Sequence, residues 1–156
     1  MNWTKGDYLV SDDKDRLQTS EIEVLMKQGE WSSKYSPERI ERLRIMSFWL
    51  GLYLKGQLIG LARMVTDQET VTMITDVIIH EAHQRKGLGS WLLDCLVKHP
   101  CLKETSMSLG TQDADRFFER LGFERSGSLM HRFPPPVRSP GITGAPPGFG
   151  PKRKIS

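Results

Sequence analysis

One segment constrains the fold more than any other, because an apolar run passes through a polar turn into an amphipathic helix. The run Val77–Ile79 leads into a turn that carries Gly87 and Gly89, and a helix is predicted over residues 88–97. Glycines let the backbone turn tightly and approach a ligand closely, while a helix start presents unpaired amides and the positive end of its dipole. The segment therefore predicts an anion cradle, and phosphate suits it best.

The order of the other patterns predicts an α+β fold, with helices packed on a sheet. Alternating and helical apolar spacings distinguish the two kinds of element. We expect about seven strands, mostly antiparallel, and four helices. The strands are predicted at residues 8–10, 48–54, 58–65, 71–79, 105–109, 123–128 and 129–133, and the helices at 20–28, from Pro37 onward, 88–97 and 114–121.

Length and composition indicate one domain followed by a tail. A chain of 156 residues that is 38% hydrophobic and 26% charged can bury one core but not comfortably two. Proline and glycine dominate after Phe133. We therefore place a folded domain at residues 1–133 and a disordered tail at residues 134–156.

The charge pattern argues against several classes of partner. The formal charge is only +3, and acidic residues are mixed among the basic ones, so we expect no nucleic-acid partner. No apolar run is long enough to cross a membrane, and Cys95 and Cys101 suit a reduced compartment. We expect a cytoplasmic protein, monomeric or homodimeric, with Cys95 in the core. The basic cluster Lys152–Lys154 leaves a nuclear address open.

Three familiar motifs are excluded. A zinc-protease helix needs two histidines four residues apart, whereas His80 and His83 are three apart beside a strand end. The pair Gly87 and Gly89 lacks the third glycine of a dinucleotide fingerprint, and the chain contains no P-loop. We expect no metal site.

A second segment gives the cradle its context. Gln84-Arg-Lys-Gly-Leu-Gly89 is followed, one helix and one strand later, by Ala114-Asp-Arg-Phe-Phe-Glu-Arg-Leu-Gly-Phe123. Together the two segments resemble the GNAT superfamily of acetyl-CoA-dependent N-acetyltransferases, and the resemblance spans approximately Tyr8 to Phe133. It implies a GNAT-like sheet in which two central strands splay apart.

The resemblance also implies a place for acetyl-CoA. The turn amides would hold its pyrophosphate, and the end of the apolar strand would offer backbone groups to its pantetheine arm. The implied cofactor-binding residues are Val77, Ile78, Ile79, Gln84, Arg85, Lys86, Gly87, Leu88, Gly89, Ser90, Thr111 and Phe118. The side chains of Arg85 and Lys86 either add charge around the phosphates or are simply solvated.

The implied chemistry is direct attack by a primary amine on the thioester carbonyl, which an amide near Ile78 would polarise. Asp76 is the best candidate for the base that takes the ammonium proton, directly or through water, or for the group that holds the ammonium. Its alternative is a structural acid. Glu81 is a weaker candidate for the base.

Two positions depart from the family pattern. Phe118 stands where most members carry the tyrosine that protonates the leaving thiolate, and a phenyl ring has no proton to donate. Thr111 stands where the helix usually opens with asparagine, although its hydroxyl can also cap a helix. Acetyl transfer stays feasible, because a CoA thiolate is a good leaving group.

The acceptor side is expected between the first two helices. There Trp31 and Tyr35 either line the mouth of the site, where aromatic faces attract ammonium groups, or staple the helices to the sheet. We expect a small or amino-acid-like amine as the acceptor. Two rival functions are an acyl-CoA sensor with little transferase activity, suggested by Phe118, and an interaction module that uses the proline-rich tail.

Overall fold

The centre of the structure is an antiparallel meander built from strands that follow one another along the chain. The computed structural model describes residues 1–28, 35–127 and 130. Its strands are β1 (Asn2–Lys5), β2 (Tyr8–Ser11), β3 (Phe48–Leu54), β4 (Gln57–Thr66), β5 (Val71–Ile79) and β6 (Ser106–Leu109). They form one sheet in the order β1-β2-β3-β4-β5-β6, and the pairs from β1 through β5 are antiparallel.

Four α-helices accompany the sheet in the described residues: α1 (Thr19–Met26), α2 (Pro37–Met46), α3 (Leu88–Val97) and α4 (Asp115–Glu119). Short 3-10 helices lie at Lys14–Arg16 and Glu81–His83. The start of α2 follows from its sequence, because the Ser36 hydroxyl accepts a hydrogen bond from the Arg39 amide and Pro37 occupies the first helical position.

Each face of the meander is buried by helices. On one face, residues of α1 and α2 pack with Trp49, Tyr53 and Leu61 in a continuous apolar cluster. The opposite strand positions, Leu50, Leu52, Ala62 and Met64, are also buried. Helix α3 contacts β3, β4 and β5 and buries Leu88, Leu92, Leu93, Cys95 and Leu96. Burial raises the pKa of the Cys95 thiol to about 11, so the predicted core position of Cys95 is confirmed and the thiol stays protonated at neutral pH.

Residues 1–108 form one compact unit, and a second unit begins at Leu109. Within the second unit, α4 is shorter than predicted because the amides of Leu121 and Gly122 bond to carbonyls three residues back. Arg125 pairs with Asp115 through two contacts of 2.6 Å. The proposed tail at residues 134–156 lies outside the described residues.

The predicted α+β class is confirmed, and the described residues contain the four predicted helices and six strands, where seven strands were expected over the chain. Residues 123–127 do not form the predicted strand, since Phe123 and Arg125 are bonded back to α4. Residues 128–129 and 131–133 of the final strand pair lie outside the described residues. Conversely, β1 was not predicted, because an exposed edge strand such as Asn2–Lys5 needs no alternation of apolar residues.

Candidate functional site

The cradle begins at Gly87, which lies just before α3 with a φ of 73°. This left-handed conformation favours glycine over residues with a Cβ atom. The first backbone hydrogen bond of the helix runs from the Trp91 amide to the Gly87 carbonyl, over 3.1 Å, and no side chain caps this end. The amides of Leu88, Gly89 and Ser90 are therefore not used by the helix itself and remain available to an anion.

Two basic residues precede this glycine. Arg85 also has a positive φ, 61°, which is uncommon for a residue with a side chain. Lys86 is exposed, and its ammonium donates a hydrogen bond to the Ala82 carbonyl over 3.3 Å. Both residues bring a positive charge to the turn within two positions of Gly87, and their contact with phosphates stays a prediction.

The cradle is fastened to the end of β5. The Gln84 side-chain amide donates to the Ile79 carbonyl over 2.9 Å. A Cβ atom built on Gly89 would lie 3.6 Å from the Ile79 side chain, so the start of α3 rests directly on this strand end. The apolar run and the anion cradle therefore form one continuous surface.

The register of β5 decides which of its backbone groups are available. The His80 amide donates to the Ile59 carbonyl over 2.8 Å, which makes His80 and Ile59 a hydrogen-bonded pair. Such pairs alternate along an antiparallel ladder, so Ile78 bonds to Leu61, its register partner. The backbone groups of Val77 and Ile79 therefore face away from β4. The amide predicted near Ile78 would therefore belong to a neighbour, Val77 or Ile79, because the Ile78 amide is used in the pairing with β4; its contact with the thioester stays a prediction.

The other edge of β5 is occupied near its amino end. The Ser106 amide donates to the Thr70 carbonyl over 2.8 Å, and the hydroxyls of Thr72 and Thr105 are 2.7 Å apart. Both contacts precede the segment that faces away from β4. They agree with the expected splay of the two strands, which stays a prediction for the carboxyl ends.

A β-bulge interrupts β5 just before this segment. Met64 pairs with Ile74, but the next β4 residue back, Arg63, pairs with Asp76, so Thr75 is the extra residue. The Thr75 hydroxyl donates to the Arg63 carbonyl over 3.0 Å.

Asp76 itself is engaged by a buried arginine. Its carboxylate lies 2.6 Å from Arg63 Nε, and the two side chains are only 13% and 9% exposed. A second Arg63 nitrogen donates to Ser47 Oγ over 3.2 Å, and the guanidinium lies 5.9 Å from the centre of the Trp49 ring. This pairing favours the structural alternative for Asp76, whereas its role as a base stays a prediction.

The histidine pair has local roles. His80 Nδ1 accepts from the Ala82 amide over 3.2 Å, and the two rings meet edge to face with centres 5.9 Å apart. Desolvation, followed by the positive charge of Lys86, lowers the pKa of His83. The Glu81 amide donates to the Gln28 side chain over 2.9 Å. Within the described parts of the chain, no group of three potential ligands could hold a metal ion.

The second unit holds the two residues that depart from the family pattern. Thr111 Oγ1 accepts from the Ala114 amide over 3.1 Å, so this hydroxyl does organise the approach to α4. The Phe118 ring meets Phe117 and Phe123 edge to face, with centres 5.1 and 5.9 Å away. Phe118 thus belongs to an aromatic cluster in its own unit.

The two predicted acceptor residues differ in what the structure says of them. Tyr35 packs against the apolar cluster under α1 and α2, and the Arg39 guanidinium lies 4.9 Å from the centre of its ring. This packing favours the staple interpretation for Tyr35. Trp31 lies outside the described residues.

Sequence reasoning did not identify Arg63 and Thr75. A signal was present, since Arg63 and Asp76 are opposite charges inside two consecutive apolar runs. Buried charges require partners, and a hairpin pairing would have brought these two together. No helix in the described ranges is long and apolar enough to span a membrane.

Comparison with known proteins agrees with this geometry. The family model for the acetyltransferase (GNAT) family matches residues 16–123. A protein of Gibberella zeae assigned as an acetyltransferase is 32% identical over 148 residues, covering 80% of this chain and 83% of the relative.

Two solved structures are similar in fold. A Xanthomonas campestris protein assigned to the GNAT family superposes with a TM-score of 0.77 at 26% identity, covering 87% of this chain and 99% of its own. A Deinococcus radiodurans protein assigned as an acetyltransferase superposes with a TM-score of 0.65 at 20% identity, covering 85% and 93%. On the extent of the family match and the identity of its relative, this chain belongs to the GNAT family of acetyltransferases.

Proposed function

We propose that this protein transfers an acetyl group from acetyl-CoA to the primary amine of a small or amino-acid-like acceptor. The observation that carries the proposal is the continuity of two surfaces, the free amides at the start of α3 and the outward-facing backbone of Val77 and Ile79, joined by Gln84. A ligand with a pyrophosphate and an amide-bearing arm matches that combination.

In this proposal, separate parts of the site bind separate parts of acetyl-CoA. The amides of residues 88–90, with Arg85 and Lys86 beside them, hold the pyrophosphate. The edge of β5 pairs with the pantetheine amides, and the Val77 amide, nearest the bulge, donates to the thioester oxygen. Such a donor is most effective when it is fixed before negative charge develops on that oxygen.

The reaction balances without a cofactor that changes oxidation state. The amine nitrogen forms a bond to the acetyl carbon, the carbon–sulfur bond breaks with its electron pair on sulfur, and the nitrogen gives up one proton. That proton can reach the thiolate through solvent. Asp76 is a candidate for the base that takes this proton, and its alternative role is the structural one of pairing with Arg63.

The test is thiol release from acetyl-CoA across a panel of primary amines, with acetylated product identified by mass spectrometry. We expect release that depends on the acceptor and saturates with acetyl-CoA. The cradle variant is Gly87→Ala, and Gly56→Ala is its matched control. Gly56 also has a positive φ, 86°, and open space around its Cβ position. Tight CoA binding without acceptor-dependent release would refute the transferase proposal.

A second candidate is favoured by one observation, the phenyl ring at Phe118, which offers no proton to a leaving thiolate. On this alternative the protein binds acyl-CoA as a sensor. The same panel separates the two candidates, since a sensor binds CoA tightly and releases thiol at the background rate with every amine.

A further inference from the structure

The bulge at Thr75 determines which way the cofactor-facing part of β5 points. Before the bulge Met64 pairs with Ile74, and after it Ala62 pairs with Val77. If the first register continued without the extra residue, Val77 would stand opposite Leu61. It would then be a hydrogen-bonded partner within the ladder, and its amide would turn toward β4.

The same shift decides which face carries the charge. A slip of one residue moves every side chain of a strand to the opposite face of the sheet. In the observed register Asp76 lies beside Arg63, on the face of Trp49. In the regular register Asp76 would stand opposite Ala62, and the buried Arg63 guanidinium would lose its carboxylate.

Two side-chain interactions connect the residues of the bulge. Arg63 Nε meets the Asp76 carboxylate at 2.6 Å, and the Thr75 hydroxyl donates to the Arg63 carbonyl over 3.0 Å. Arg63 is held in turn by Ser47. The Arg63–Asp76 pair exists only while Asp76 faces Arg63, so it favours the bulged register over the regular one, in which Thr75 would stand opposite Arg63. The Thr75 hydroxyl ties the extra residue to the Arg63 carbonyl.

We propose that Arg63, Thr75 and Asp76 are positioning residues that hold the bulge and so aim the Val77 amide at the thioester carbonyl. This inference rests on the proposed function. It assigns to Asp76 a role that acts through the backbone, which is a different role from proton transfer.

The experiment uses the full chain and acetyl-CoA labelled with 13C at the acetyl carbonyl. A hydrogen bond to that oxygen moves the carbonyl resonance of the bound thioester away from its position in free acetyl-CoA. Thr75→Val removes the hydroxyl with little change of volume, and Asp76→Asn removes the charge at nearly constant shape. In both variants we expect the bound resonance to return toward the free position.

Two further readouts separate positioning from general loss of structure. CoA without the acetyl group reports on the cradle alone, so its Kd should stay within about twofold of wild type in every variant. With the best amine of the panel, kcat should fall about tenfold or more while KM for acetyl-CoA changes little. Asp94→Asn is the control for charge, because it removes an exposed pair with Lys98 on α3 and should change none of these values.

The outcomes are distinguishable. If wild type does not bind acetyl-CoA, the proposed function fails and the inference fails with it. If wild type shows the shifted resonance and both variants retain it, the positioning role is overturned while the proposed function stands. If Asp76→Asn removes the acidic limb of the kcat profile and Thr75→Val has no effect, Asp76 is the base and the positioning role is likewise overturned. Thr75→Val is conservative enough to keep the test valid should Asp76→Asn fail to fold.

Discussion

The two halves of β5 differ in what their edges are used for. In the amino half, β4 lies on one side and the segment of Thr105 and Ser106 on the other, so the described contacts use both edges. In the carboxyl half, β4 holds one edge, and the groups of Val77 and Ile79 face away from it. A single extra residue, Thr75, separates the halves. On the proposed function, the comparison teaches that one strand serves as scaffold in one half and as binding edge in the other, with a bulge between the halves.

The largest expected effect comes from removing one partner of the buried ion pair between Arg63 and Asp76, which lies at the bulge. Arg63→Met leaves the Asp76 carboxylate buried without a cation and should lower the free energy of unfolding by about 3–5 kcal/mol. Urea denaturation measures this loss. The double variant Arg63→Met/Asp76→Leu should recover most of it, because neither charge then remains buried. A single variant as stable as wild type would contradict the burial argument.

The next effect concerns Gly87, in the turn that joins the carboxyl half of β5 to α3. Gly87→Ala places a side chain at a φ of 73° and should cost about 1 kcal/mol of stability, although no atom lies within 4 Å of the new Cβ. Relief of this strain shifts the helix-start amides, so CoA affinity should fall about fivefold by calorimetry. Gly56→Ala should cost similar stability and leave CoA affinity unchanged. Equal affinities in the two variants would remove the cradle from the proposed site.

The amino half of β5 can be destabilised separately. The hydroxyls of Thr66 and Thr105 donate to carbonyls, so the buried Thr72 hydroxyl donates to one of these two neighbours. Thr72→Val should therefore lower the free energy of unfolding by about 1 kcal/mol. CoA affinity should not change. A variant that loses affinity without losing stability would show that the two halves are not independent.

The smallest expected effect concerns Phe118, which stands where most members of the family carry a tyrosine. Phe118→Tyr should keep turnover at the wild-type value or raise it, because the new hydroxyl can donate a proton where the phenyl ring cannot. Thiol release at saturating acetyl-CoA gives the comparison. A sharp loss of turnover would mean that the aromatic cluster around Phe118 requires the phenyl ring.

Much of the fold could be predicted because local patterns determine it. The bounds of β3, β5 and α3 agree with the predicted ranges. Apolar spacing marks all three, with a flanking glycine or proline at β3 and α3 and the polar turn Asp67-Gln-Glu69 before β5. The cradle followed from the same signals. Edge strand β1 could not be found, because an exposed edge carries no apolar alternation.

The details of the candidate site were less accessible, because they depend on how two strands pair. Val77, Ile78 and Ile79 are all apolar, so the sequence does not distinguish them. Only the register of the strands reveals that the Ile78 backbone is bonded to β4. The bulge at Thr75 has no glycine or proline to announce it. Asp76 is an acid in an apolar run, which marks it as a candidate functional residue. Its partner, Arg63, is identified only by the pairing of β4 with β5.

The turn between β4 and β5 has a consequence for the order of folding. Asp67 accepts hydrogen bonds from the amides of Glu69, Thr70 and Val71, and these bonds together with that from the Thr70 hydroxyl hold the pKa of its carboxyl well below the usual range. The ionised carboxylate therefore ties this turn at neutral pH. Contacts between strands adjacent in sequence close short loops and form early, whereas β6 must wait for the crossover through α3. We therefore expect the β4–β5 hairpin, and with it the outward-facing backbone of Val77 and Ile79, to form before α3 docks.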